Sequence, residues 1–329
     1  MTRRALRPHR VVALGGGTGL PAVLRGLRHL VLDGEDFDLT GVVAMSDDGG
    51  SSGRLRRSRG LPPPGDVRNC LVALSAEEDL LAGLFQYRYG GETELGGHTL
   101  GNLILAALAE QTGSFLKAVE ISSRVLRTVG RILPVTLEDV RLVARLDDGT
   151  RVVGESAIGA CRRRVSRVAL EPDTARPTAG AVSAITEADL VVIGPGSLFT
   201  SVLPNLVLKD VARALRETRA VRVLVGNLVS ERGGASGLQI EDHLRIVESH
   251  AGGEVVDALL VHEGAIDDET LGRYEAEGAS PLRIGDAALQ DRHVVRRNLL
   301  AAGPKLRHDP RATASGLLAA WAECSSLRA

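Results

Sequence analysis

Two adjacent aspartates, Asp47 and Asp48, close an apolar run and lead directly into Gly49, Gly50, Ser51, Ser52, Gly53 and Arg54. Acids at the end of a second strand commonly hold ribose hydroxyls. Alternatively one of them, Asp48, can hold a Mg²⁺ ion carried by substrate phosphates. The Ser51 and Ser52 hydroxyls and the Arg54 guanidinium suit phosphate. A solvated Asp-Gly turn is the plain alternative. Upstream, Gly15, Gly16, Gly17, Thr18 and Gly19 form another loop between an apolar run and a periodic one. Glycines there permit positive φ and let backbone N–H groups approach an anion. The helix that follows adds unsatisfied donors and the positive end of its dipole. Phosphate or pyrophosphate is the expected ligand, although Leu20 replaces the third glycine of the dinucleotide fingerprint and no lysine supplies a Walker loop.

Two more segments repeat this chemistry. Gly96-Gly97-His98-Thr99-Leu100-Gly101-Asn102 opens an apolar helix, with His98 and Asn102 as polar candidates. Gly194-Pro195-Gly196-Ser197-Leu198-Phe199-Thr200-Ser201 follows a buried strand and continues to Pro204 and Asn205. Gly194, Gly196, Ser197, Thr200 and Asn205 are therefore ligand candidates, as is Asn227 after the next strand. Asn69, beside Arg68 in the first turns of a helix, and Arg307 are further candidates. Asp47, Asp48 and His98 are the groups able to act as acid, base or metal ligand. His243, His250 and His262 lack metal-ligand spacing, and Ser197 lacks the elbow and triad order of a hydrolase.

The elements that position these residues read as alternating α and β. Val11–Leu14 is a strand, 20–32 an amphipathic helix, and Leu39–Met45 the next strand. Residues 62–64 are extended, and a helix starts at Gly65 with Asp66 as its N-cap. Helices are expected at 78–89, 103–109 and 115–128. Residues 140–146 and 151–154 read as a hairpin around Asp147-Asp148-Gly149, with a further strand at 165–170. Strands at 189–193, 221–225 and 258–261 and helices to about 216, at 240–250 and at 312–323 complete the pattern. The fold class is α/β: a doubly wound, mostly parallel Rossmann-like sheet with a helical block and a small antiparallel β insertion. One domain over residues 1–329 is expected, with a nucleotide-binding part at 10–135, the insertion at 136–172 and a second α/β part at 173–329. In such a sheet the four loops converge at the C-terminal edge.

Composition narrows the function. The 329 residues carry a net charge of −1, so no general attraction to nucleic acid or membrane is expected. Aromatics make up 2%, too few for base-stacking platforms. Cys70, Cys161 and Cys324 are isolated, which points to a reducing, cytoplasmic setting without structural zinc. No apolar stretch reaches membrane-spanning length and no signal peptide precedes the first strand.

The segments GGGTGL, SDDGGSSGRL, LPPPGDVRNCLVAL, GHTLGNL and IGPGSLFTSVLPNL resemble the bacterial YvcK-type gluconeogenesis-factor family, over about residues 11–310. That family is similar in fold to the 2-phospho-L-lactate transferase CofD. The resemblance implies a nucleotide crevice, binding of UDP-sugars such as UDP-N-acetylglucosamine, and links to gluconeogenic growth, cell shape and cell-wall precursor supply. It implies regulation through a protein partner of cell-wall or carbon metabolism, with a homodimer as a further expectation. The loops at 46–50, 98–102 and 194–198 depart from the transferase pattern, so the transferase reaction is not carried over. A Mg²⁺-dependent phospho-ester or phosphoryl transferase built on the Asp pair is the alternative.

Overall fold

The computed structural model describes residues 7–76, 80–231, 233–282, 284, 289 and 292–328. Strand β1 (His9–Gly15) passes through the glycine loop into α1 (Gly19–Leu32), and β2 (Phe37–Val43) follows. A helical block comes next, with α2 (Gly50–Arg59), α3 (Gly65–Leu74), α4 (Leu80–Gln86), α5 (Leu100–Thr112) and α6 (Phe115–Val125), and then β3 (Gly130–Pro134). A second, small sheet is built from β4 (Arg141–Leu146), β5 (Arg151–Val153) and β6 (Val165–Glu171), with α7 (Glu155–Ala160) between the last two. Alternation resumes with α8 (Ala179–Thr186) and β7 (Leu190–Ile193), a π-helical turn at Leu198–Val202, α9 (Leu203–Leu206), α10 (Lys209–Glu217) and β8 (Val221–Val225). The chain then runs through α11 (Ile240–Ala251), β9 (Ala258–His262), α12 (Asp268–Ala276), β10 (His293–Arg297) and α13 (Pro310–Arg328).

The large sheet has seven strands in the order β10-β9-β8-β7-β1-β2-β3, and every pairing in it is parallel. Helices cover it, so its central strands are apolar throughout. Val11 to Leu14 are at most 2% exposed, and Leu190 to Ile193 are fully buried. The small sheet has the order β5-β4-β6 and is antiparallel. The architecture is thus the mostly parallel sheet, helical block and antiparallel insertion that the alternation pattern implies. The strand order reverses about the β1–β7 pair, and such a switch point opens a crevice beyond the carboxyl ends of its strands. Both strands of this pair end in glycine loops.

Several local readings need correction. Residues 50–59 form α2, so Ser51, Ser52 and Arg54 stand on a helix and not in an open loop. Helix α3 begins at Gly65 with Pro64 in the cap position, so Asp66 lies in its first turn and is not the N-cap. The Asp66 carboxylate reaches back to another loop instead. The second strand runs Phe37–Val43, two residues earlier than the apolar pattern suggests. Of the helix expected at 78–89, α4 covers Leu80–Gln86, and residues 77–79 lie outside the described residues. Helix α6 stops at Val125, short of the expected 128, where Arg127 adopts φ 48°. β3, α7, α8, α12 and β10 carry too little periodicity to stand out in sequence.

Candidate functional site

The loops after β1 and β7 interlock through missing side chains. A Cβ on Gly19 would lie 2.1 Å from the Pro195 carbonyl oxygen, and one on Gly16 would lie 2.9 Å from a carboxylate oxygen of Asp66. Gly17 turns the chain at φ 60°. Gly15 sits against the Gly194 backbone, and Gly196 against Gly16 and Ser201. Buried Asn205 ties this junction together, because its side-chain N–H group donates to the carbonyls of Gly15, at 3.3 Å, and Ser201, at 3.0 Å. Asn205 is therefore a scaffold residue.

These loops floor a cavity of about 590 Å³. Thr18 and Gly19 line it from the start of α1, and Gly196, Ser197 and Thr200 from the β7 loop. Asn227, Glu231 and Arg307 line other walls. Thr18 makes no side-chain cap to α1, and the first turn of that helix holds no acidic residue. The positive end of its dipole is therefore not neutralised from within its own turn, which suits an anion. Arg307 and its neighbours separate in role. His308 donates from Nε2 to the Gly226 carbonyl, at 3.0 Å, and burial pushes its pKa down to about 4. Asp309 accepts from the Ala312 N–H at 2.7 Å, at the start of α13.

The α2 and α5 segments pair with each other beside this cavity, and Asp47, Ser51, Ser52, Arg54, Asn69, His98 and Asn102 are not part of its lining. Ser51 Oγ lies 2.9 Å from His98 Nδ1 and accepts from the Asn102 amide at 3.0 Å. Burial, helped by Arg54, lowers the His98 pKa, so the ring is neutral near pH 7. The Ser51 hydroxyl can give its proton to Nδ1 while it accepts from Asn102. Arg54 donates to the Gly96 carbonyl at 2.7 Å, and Ser52 Oγ accepts from the Gly65 N–H at 3.1 Å. Asn69 Oδ1 accepts from Arg68, whose other end bonds the Thr99 hydroxyl.

Three carboxylates join this polar corner to the cavity floor. Asp66 accepts from the Gly17 N–H at 2.7 Å. Burial raises its pKa to about 6, reinforced by Asp47 and opposed by the Gly17 bond. Glu155, at the start of α7, is raised to about 7, first by burial and then by the charge of Asp47, with Asp48 and Asp66 adding less and the Thr200 hydroxyl opposing. Two acids that hold their protons close to neutrality beside an anion seat can serve as general acid or base. Asp47 itself accepts from the Gly49 N–H at 2.9 Å.

Asp48, the expected metal ligand, has a structural task. Its two oxygens accept from the Glu155 N–H at 3.0 Å and the Ser156 N–H at 2.9 Å, so it caps α7 and anchors the insertion to the crevice. Among the described residues no three His, Cys, Asp or Glu side chains are grouped to hold a metal ion.

Glu155 and Glu231 escape sequence reading altogether. Glu231 accepts from Ser197 Oγ at 2.6 Å, from the Leu198 N–H at 2.5 Å and from the Asn227 amide at 3.2 Å. Burial raises its pKa against the pull of all three donors. Glycine or serine adjoins both glutamates, as in Gly154-Glu155-Ser156 and Ser230-Glu231, but no buried strand leads directly into them as it does into the loops that hold their partners Thr200, Ser197 and Asn227.

Comparison with known proteins agrees with this architecture. The family model described as 2-phospho-L-lactate transferase CofD matches residues 11–300. A Bacillus subtilis protein named gluconeogenesis factor is 39% identical over 317 residues, which cover 94% of this chain and 97% of that one. The gluconeogenesis factor of Halalkalibacterium halodurans is 41% identical over 285 residues, 87% of each chain. A crystal structure of a Bacillus halodurans protein superposes with a TM-score of 0.90 at 38% identity, covering 94% of this chain and 99% of the other. This chain belongs to the CofD family, among its YvcK-type gluconeogenesis factors.

Proposed function

We propose that this protein binds a nucleotide sugar of the UDP-N-acetylglucosamine kind in the β1–β7 crevice and regulates growth on gluconeogenic carbon, cell shape and cell-wall precursor balance from the cytoplasm. The observation that carries the reading is the uncapped start of α1 beside glycines that only glycine fits, opening on a cavity large enough for such a ligand. Relatives named gluconeogenesis factor support the metabolic side. Regulation would pass through a protein partner of cell-wall or carbon metabolism, with a homodimer as the acting form. Among the described residues no helix is long and apolar enough to cross a membrane.

The test is calorimetric titration with UDP-N-acetylglucosamine, GDP and NADP, each with and without Mg²⁺. The UDP-sugar is expected to bind, and where its ribose extends past the cavity to the Asp47 corner, Asp47→Asn should weaken it by about 1–3 kcal/mol, the size of a lost charged hydrogen bond. If Asp47 acts through a phosphate-borne metal, EDTA should weaken the parent by a similar amount. Absence of any nucleotide binding would sink the reading.

A transferase of phosphorus-containing groups is the second reading. It is favoured by Asp66, raised to about 6 at the Gly17 N–H, by Glu155, raised to about 7 beside Thr200, and by the description of the family model. No product is expected from a guanylylated phospholactate donor and a deazaflavin acceptor, because the 46–50, 98–102 and 194–198 segments depart from the transferase pattern. Product that disappears in Asp66→Asn would promote this reading.

A further inference from the structure

Glu231 is a carboxylate planted in the wall of the ligand cavity, and its setting is rigid. The strap that carries it is tied down from behind. The Ser230 N–H donates to the Ser280 carbonyl at 2.7 Å, the Ser280 N–H returns to Ser230 Oγ at 2.9 Å, and Val229 bridges to Pro281. In front, the carboxylate takes the Ser197 hydroxyl on one oxygen and the Leu198 N–H and Asn227 amide on the other. Asn227 in turn holds Gly196 by both edges of its own amide, each at 3.0 Å.

This arrangement gives neighbouring parts of one cavity wall opposite preferences. The donors of the β7 loop that an anion would need, the Ser197 hydroxyl and the Leu198 N–H, already serve an internal anion. At the start of α1 the internal carboxylate, Asp66, is held one residue earlier, on the Gly17 N–H, and Thr18 and Gly19 meet no acid within the helix's own first turn. A phosphate is therefore favoured against the start of α1 and disfavoured against Glu231. An ionised carboxylate offers about four acceptor sites, and the three protein donors leave roughly one for a ligand. The chemistry that complements it is a neutral group with a hydroxyl or amide N–H to donate.

We infer that Glu231 is a specificity-determining residue of this site. It selects phosphate esters whose non-phosphate end is a neutral, hydroxyl-bearing ring and rejects those with a second anion there. The inference rests on the nucleotide-sugar reading above and adds to it the orientation of the ligand and the group that enforces it.

The test compares UDP, UDP-glucose and UDP-glucuronate by titration at pH 8 on the parent chain and on Glu231→Gln. The two sugars differ at one carbon, a hydroxymethyl against a carboxylate. The parent is expected to favour UDP-glucose over UDP-glucuronate by at least about tenfold, the scale of one charge-assisted bond. Glu231→Gln should bring the two within about threefold, each affinity being read relative to UDP on the same chain. An equal preference in parent and variant would overturn the inference, since the carboxylate would then only hold the loop. Thermal melting of the variant separates that outcome from unfolding. A parent that binds none of the three probes would instead refute the nucleotide-sugar reading itself.

Discussion

At the scale of single residues, the crevice depends on atoms that are absent. Gly19 touches the Pro195 carbonyl so closely that even a methyl group must displace backbone. Gly19→Ala is expected to destabilise the fold by about 1–3 kcal/mol, the usual result of overpacking, as a lowered thermal midpoint. At Gly16 the obstacle is the Asp66 side chain, which can move. Gly16→Val should therefore fold yet lose UDP-sugar affinity by several kcal/mol, roughly the effect of blocking backbone approach to phosphate. A folded Gly16→Val protein that binds like the parent would place the phosphates elsewhere. Asp66 adds a pH dependence. Burial raises its pKa from 3.8 to about 6, so the folded state keeps a proton that the unfolded chain releases. The contribution of this group to stability is complete below pH 3.8 and declines as pH rises to about 6, by an amount on the order of 3 kcal/mol. Asp66→Asn keeps an acceptor for Gly17 but cannot titrate. Its melting temperature should match the parent near pH 4 and exceed it near pH 8.

At the scale of elements, Asp48 shows how a residue can be noticed in sequence while its structural role stays hidden there. An acid pair beside glycines and serines signals a ligand, and local pattern holds no hint that one of the pair caps a helix more than a hundred residues later. Asp48→Ala is expected to cost about 1–2 kcal/mol, as lost helix caps do. It should also speed hydrogen exchange at residues 155–160 ahead of the large sheet. Uniform exchange across both would mean that Asp48 does not hold the insertion. The same logic explains what was legible. The strands β1, β7, β8 and β9 are buried on both faces over most of their length and read as apolar runs, interrupted in β8 by Arg222. The glycine loops read clearly because steric demand at Gly17 and Gly19 leaves no other residue. Asp66, Glu155 and Glu231 act by tertiary contact, each reaching a loop far off in sequence, so their neighbours in the chain carry no trace of the role. α2 was hidden because Gly50, Ser51, Ser52 and Gly53 are poor helix formers, and packing against α5 overrides that preference.

At the scale of the whole molecule, ligand-bearing parts lie on both sides of the switch point. The first half of the chain brings the α1 seat and the Asp47–Asp66 corner, the insertion brings Glu155, and the second half brings the β7 loop, Glu231 and Arg307. Neither half holds a complete cavity. The switch point also shapes how the chain must be made. β1 is central, yet one of its two neighbours is β7, whose residues 190–193 pair with 11–14. While the chain emerges from the ribosome, β1, β2 and β3 can assemble long before β7 exists. Throughout that interval one whole edge of β1, in the most apolar part of the protein, faces outward without its strand. Unpaired apolar edges recruit other chains. A fragment ending before residue 180 should accordingly collect in the insoluble fraction or on chaperones, and the addition of residues 180–217 in trans should draw part of it back into solution. The order of strands that assembles the crevice thus leaves the newborn half-protein dependent on protection that the finished one no longer needs.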